Sequence, residues 1–133
     1  MVVLAFQMLC PGCVAQAIPQ AKAVDEIFGP LGVAVLGLHT VFEHHAAMTP
    51  VALEAFLHEY RITFPVGVDM PGGEGDPLPV TMRRYAMQGT PTLLLFDRDG
   101  RLARRFLGHV PDLRLGAEIM ALVVAGGDRE TGR

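Results

Sequence analysis

The chain of 133 residues contains no tryptophan, two tyrosines, two cysteines, and no apolar run approaching the length that crosses a bilayer. A transmembrane helix needs about 20 such residues, so a membrane-spanning role is excluded. Charged residues make up only 19% and the net charge is −3, which leaves no electrostatic case for nucleic acid or an anionic membrane as partner. The arginines that cluster, Arg83–Arg84 and Arg101–Arg104–Arg105, read as solvated faces. Two cysteines are too few for a disulfide framework and supply half of a four-ligand zinc set at most. The apolar opening MVVLAFQML has no basic n-region and no small-residue cleavage site, so secretion is unsupported and a cytoplasmic location is expected.

What the chain does have is apolar. Half of it is hydrophobic, enough to bury a real core in a single domain, expected over residues 1–125 with a flexible tail at 126–133. Val2–Met8 reads as a strand buried on both faces, and an alanine-rich helix follows from Pro11 to about Phe28. Pro19 lies inside that helix and predicts a kink, because proline deletes a backbone hydrogen bond. Strands are expected at Val33–Leu38, Phe64–Asp69, Thr92–Phe96 and Leu102–Phe106, the last two joined as a hairpin by the Asp97–Gly100 turn. Helices are expected from Thr49–Pro50 to about Tyr60, over Thr81–Met87, and from Pro111 to about Ala125. Helices between the early strands imply parallel pairing, and the late hairpin adds antiparallel strands. The fold class is α/β, with a mixed sheet flanked by helices.

Both cysteines stand in LCPGC, at the junction of the first strand and first helix. A helix start offers unpaired N–H groups and the positive end of the dipole, which favour thiolate over thiol at Cys10. Three residues make nearly one turn, so the Cys13 thiol comes beneath it at disulfide range. Cys10 therefore reads as an attacking nucleophile and Cys13 as the buried resolving thiol. Pro11 fits the first helical turn, and Gly12 permits close approach of a partner. Other readings stay open: two inert buried thiols, or half of a zinc site completed by His44 and His45.

With the pair so placed, the chain resembles the thioredoxin-like superfamily, most closely its TlpA-type and AhpC/TSA redoxin branch. The matching segments come in order from Val2 to about Val124: FQMLCPGC, VAVLGLHTVFE, ITFPVGVD, GTPTLLLFDRDGRL and FLGHV. The resemblance implies a central mixed sheet, a Cys-x-x-Cys opening helix 1, and a cis-proline at Pro91, preceded by Thr90, facing the pair. With Pro11 and Gly12, these two residues would form the substrate groove, where the Thr90 backbone can pair with an extended segment. The implied activity is thiol–disulfide exchange on a disulfide-bearing protein or a small thiol, with a partner reductase or thiol as electron donor. No cofactor beyond the Cys10–Cys13 pair is implied: there is no metal, nucleotide or flavin motif.

The departures are specific. Leu9 stands where the family usually has tryptophan, Gln16 where TlpA-type members often have glutamate, and Leu4 where thioredoxin has a buried aspartate. Pro19 lies six residues after Cys13, where five is common. With the usual proton acceptor missing, Glu43, His44 and His45 are candidates for a proton relay, since they leave the second strand at the edge where such sites form. Met8, Met48 and Met87 are candidates for an apolar lip, and His39 and His109 read as structural. No hairpin precedes the first strand, and a homodimer covering that apolar surface is expected. A peroxiredoxin-like peroxidase is the enzymatic alternative, although Gln7 and Val3 occupy the places of its hydroxyl residue and proline. A non-catalytic binding or metallochaperone module is the other.

Overall fold

The computed structural model describes residues 1–130. Five strands form one sheet in the order β3-β2-β1-β4-β5: β1 is Val2–Phe6, β2 Val35–His39, β3 Val66–Val68, β4 Thr92–Phe96 and β5 Leu102–Leu107. β1, β2 and β3 run parallel, and β4 returns antiparallel to both β1 and β5. β1 is thus the central strand, paired on both sides within the chain. β3 is half the expected length: Pro65 has no N–H to give, and only Gly37–His39 of β2 lie opposite Val66–Val68.

Each face of β1 has its own core. Val2, Leu4 and Phe6 pack with Ile18, Val24, Leu115 and Ile119, whereas Ala5 and Leu94 pack with Met82 and Met87. The period-2 alternation of a strand puts consecutive apolar residues into opposite layers. Gly37 is required in β2, because a Cβ there would lie 2.9 Å from Cγ2 of Val66 and 3.2 Å from the Phe6 ring. Met8, Met48 and Met87 are buried, so they fill the core and form no surface lip.

The first helix begins at residue 11 and carries a π turn at Cys13–Ala17 before the regular α1, Ile18–Phe28. In that turn the Ile18 N–H donates to the carbonyl of Cys13, five residues back. The ring of Pro19 would collide with the carbonyl four residues earlier in a regular helix, and widening the preceding turn relieves it. The expected kink therefore takes the form of a one-residue bulge, which absorbs the extra residue between Cys13 and Pro19. Beyond it, Ile18, Ala21 and Val24 share one buried face.

α2, Pro50–Glu59, is capped by Thr49, whose Oγ1 accepts the Ala52 N–H at 3.2 Å. Such a cap contributes about 1 kcal/mol. α3, Val80–Arg84, is shorter than expected and is capped by Asp69. α4, Asp112–Glu130, continues past the expected end near Ala125, so the tail expected at 126–133 begins inside a helix, and residues 131–133 lie outside the described residues. The clustered arginines are exposed: Arg83 pairs with Asp76 at 2.8 Å, Arg104 with Glu118 at 3.1 Å, and Arg105 donates to the Tyr85 carbonyl. Among the described residues no helix is long and apolar enough to cross a membrane.

Candidate active site

The chain leaves β1 at Phe6 and turns before entering the helix. The turn is closed by the Cys10 N–H, which donates to the Gln7 carbonyl at 3.1 Å. Cys10 therefore stands immediately ahead of the first helical residue, half-buried, while Cys13 is fully buried one turn below. Both are free thiols. The Cys13 N–H donates to Sγ of Cys10 at 3.3 Å. The Cys10 thiol in turn donates to the Thr90 carbonyl at 3.5 Å.

The second wall comes from the loop before β4. The Thr90–Pro91 peptide bond is cis. Oγ1 of the buried Thr92 holds this loop by donating to the Gly89 carbonyl at 2.7 Å, and the Gly108 N–H donates to the Pro91 carbonyl at 2.9 Å. Gly108 reaches that carbonyl with a φ of 83°, a conformation that favours glycine. A Cβ at Gly12 would lie 3.7 Å from Cδ of Pro91, so the glycine between the cysteines faces the proline ring directly. Cys10, Gly12, Cys13, Thr90 and Pro91 thus converge, with Pro11 on the exposed rim.

Burial pushes the Cys13 thiol up to about 12, and hydrogen bonding to Cys10 and its charge act in the same direction. Hydrogen bonds from the Gln7 backbone and Thr90 offset part of this. The two sulfurs, one residue turn apart, are therefore unequal: one half-exposed under an N–H donor, the other buried and held protonated.

The three rim residues divide. Glu43 accepts from Nε2 of Gln7 at 3.3 Å, which ties it to the cysteine turn. Nε2 of His45 instead lies 3.1 Å from the Pro77 carbonyl in the loop before α3, and His44 adopts a left-handed backbone, φ 49°, ahead of a short 3-10 turn. Among the described residues no cluster of three or more His, Cys, Asp or Glu side chains converges as a metal site.

Two buried residues at this edge were given no part in the site by the sequence reading, which took His39 as structural and noted Gln7 only as replacing a peroxidase hydroxyl residue. Gln7 accepts the Phe42 N–H on Oε1 at 3.1 Å while donating to Glu43. His39 accepts the Met8 N–H on Nε2 at 3.2 Å, and burial lowers it to about 4. The available signal was a polar residue closing each of two otherwise apolar strand segments.

No protein-family model and no curated protein matches the sequence. Solved structures do. A thioredoxin-like superfamily protein is 60% identical with a TM-score of 0.88, over 92% of this chain and 78% of that one. A thiol-disulfide isomerase from Corynebacterium glutamicum is 48% identical with a TM-score of 0.89, over 92% of this chain and 79% of that one. StoA from Bacillus subtilis, at 19% identity and a TM-score of 0.67 over 86% and 77%, shares the fold. With its paired cysteines at the start of the first helix and a mixed five-stranded sheet behind them, the chain belongs to the thioredoxin-like superfamily and is a thiol–disulfide oxidoreductase.

Proposed function

We propose that the protein reduces disulfides by dithiol exchange, with Cys10 attacking and Cys13 resolving, as a TlpA-type member of its superfamily. The observation that carries this reading is the inequality of the sulfurs: Cys10 is half-exposed and receives the Cys13 N–H, while Cys13 is buried and held protonated. The Cys10 thiolate attacks one sulfur of a substrate disulfide. A mixed disulfide forms as the substrate S–S bond breaks, and the first substrate sulfur leaves as a thiolate. Cys10 then carries no charge, so one of the influences keeping Cys13 protonated disappears when Cys13 has to act. Cys13 gives up its proton and attacks Sγ of Cys10, forming the intramolecular disulfide and releasing the second substrate thiolate. Two electrons have passed to the substrate, and a partner reductase or a thiol returns them.

The proton from Cys13 goes to Glu43 through solvent, since Glu43 is the rim group joined through Gln7 to the cysteine turn. The substrate is a disulfide-bearing segment in extended form, laid beside Thr90 and Pro91 against Gly12. Insulin reduction coupled to a dithiol donor tests the assignment. Cys10→Ser abolishes turnover, and Cys13→Ser accumulates a mixed disulfide on Cys10 detectable by mass spectrometry. Full activity in the double variant would end this reading.

A further inference from the structure

We propose that His39 is a positioning residue for the attack by Cys10: its imidazole holds the Met8 amide, and with it the turn on which the Cys10 sulfur is presented. The role rests on the reading of Cys10 as the attacking thiol.

His39 is the last residue of β2 and stands opposite Phe6 in the parallel register. The ladder between these strands uses the even-numbered residues of β1. The Val2 N–H donates to Ala34, and the Phe6 carbonyl accepts from Thr40 at 3.0 Å. By the same alternation the Met8 N–H projects toward β2, but the chain has already begun its turn and no backbone carbonyl is given to it. The His39 ring, packed 5.3 Å from the Phe6 ring and only 1% exposed, supplies the acceptor.

The other fixed points of the turn lead to the same neighbour. The Cys10 N–H is held by the Gln7 carbonyl, and the Gln7 side chain is held by Phe42 and Glu43. Gln7, Met8 and Cys10 are therefore tied down, and Leu9 between them is exposed. An accepting Nε2 must carry no proton: the apolar surroundings that lower His39 keep the ring neutral at neutral pH, and accepting the Met8 N–H leaves its single proton on Nδ1. An apolar side chain of similar size would fill the space and leave a buried N–H with no acceptor. The turn would rotate to find one, carrying the Cys10 sulfur away from the Cys13 N–H and the Thr90 carbonyl.

The test uses the full chain in a Cys13→Ser background, where one thiol remains and the Cys13 amide is retained. Its reaction with 5,5′-dithiobis(2-nitrobenzoate) is followed by stopped flow. His39→Leu is expected to slow adduct formation about tenfold, and His39→Gln, whose amide oxygen reaches about as far as Nε2, to recover it to within about threefold. A folded His39→Leu protein reacting within about twofold of its parent overturns the proposal, as does a His39→Gln protein as slow as His39→Leu. Should His39→Leu fail to fold, long-range ¹H–¹⁵N correlation on the parent decides: a bare Nε2 supports the role and a protonated one overturns it. A parent that forms no adduct on Cys10 brings down the exchange reading and this one together, whereas a reacting parent matched by His39→Leu brings down this one alone.

Discussion

The two edges of the sheet are built from different materials. Gln7, His39, Thr40, Asp69 and Thr92, the buried polar residues among those described, all lie where β1, β2 and β3 end and β4 begins, the edge that carries Cys10 and Cys13. Each has a side-chain hydrogen bond. The opposite edge holds a cavity of about 340 Å³ lined by Val2, Leu31, Val33, Leu95, Ile119 and Leu122 among others. This hollow is remote from the cysteines. Chemistry follows the edge where polar groups are buried and satisfied, because such groups hold backbone and sulfur in one geometry.

That contrast can be broken or sharpened by substitution. Leu4→Ala removes a fully buried side chain from the strand both edges share, and should cost about 3 kcal/mol in urea unfolding. Both edges should be lost in one transition, monitored by Cys13 alkylation at one end and amide exchange at Val2 at the other. Early release of either edge would show that they are separate cooperative units. Asp69→Ala acts on the polar edge alone. Its carboxylate accepts the Thr81 and Met82 N–H groups at 2.8 and 3.0 Å and the Thr40 hydroxyl at 3.4 Å. Loss of these bonds at a buried site should cost about 2 kcal/mol, and exchange at the amides of α3 should rise before that of β4. Uniform protection loss would mean that α3 is not held by this carboxylate.

The sequence was most readable where structure is local. β4 has the expected bounds because a proline precedes its threonine and four apolar residues, and a D-x-x-G turn ends them. The Cys-x-x-Cys placement was equally legible, since strand, turn and helix start are contiguous. Elements that depend on a distant partner were less so. β3 shrinks to the residues that find β2, and the π turn that relieves the Pro19 clash leaves Ile18, Ala21 and Val24 on the buried face beyond it. His39 was read as structural, and its location alone supports that. Its bond to the Met8 N–H arises from parallel register across 31 positions, which no local pattern carries. Glu43 and His45 are neighbours in sequence but part in space, one to Gln7 and one to Pro77.

A smaller effect comes from pH, and it belongs to the polar edge. Burial lowers His39 from 6.5 to about 4, so between those values the unfolded chain takes up a proton that the folded chain refuses. Falling pH through that window therefore favours unfolding, and stability should decline from pH 6.5 toward 4. Carboxylates titrate in the lower part of the same range, so the measurement is the difference between parent and His39→Gln in unfolding midpoint across pH. A parent curve with the steeper acid slope is the expected result, and parallel curves would show that the ring titrates no differently once folded.

The smallest expected effect is the one that isolates the opposite edge. Leu122 is half-buried on α4 and lines the cavity beside Val2 and Leu95. Leu122→Ala removes part of that wall where solvent already enters, so the loss should be about 1 kcal/mol, below the usual range for a fully enclosed leucine. Because the site is distant from Cys10 and shares no hydrogen bond with the cysteine turn, the rate of Cys10 alkylation in the folded protein should stay within about twofold of the parent. Paired with Asp69→Ala, this separates a wall that only packs from an edge that also positions. A fall in alkylation rate with Leu122→Ala would mean that β1 transmits strain along its length, and the division between the edges would have to be abandoned.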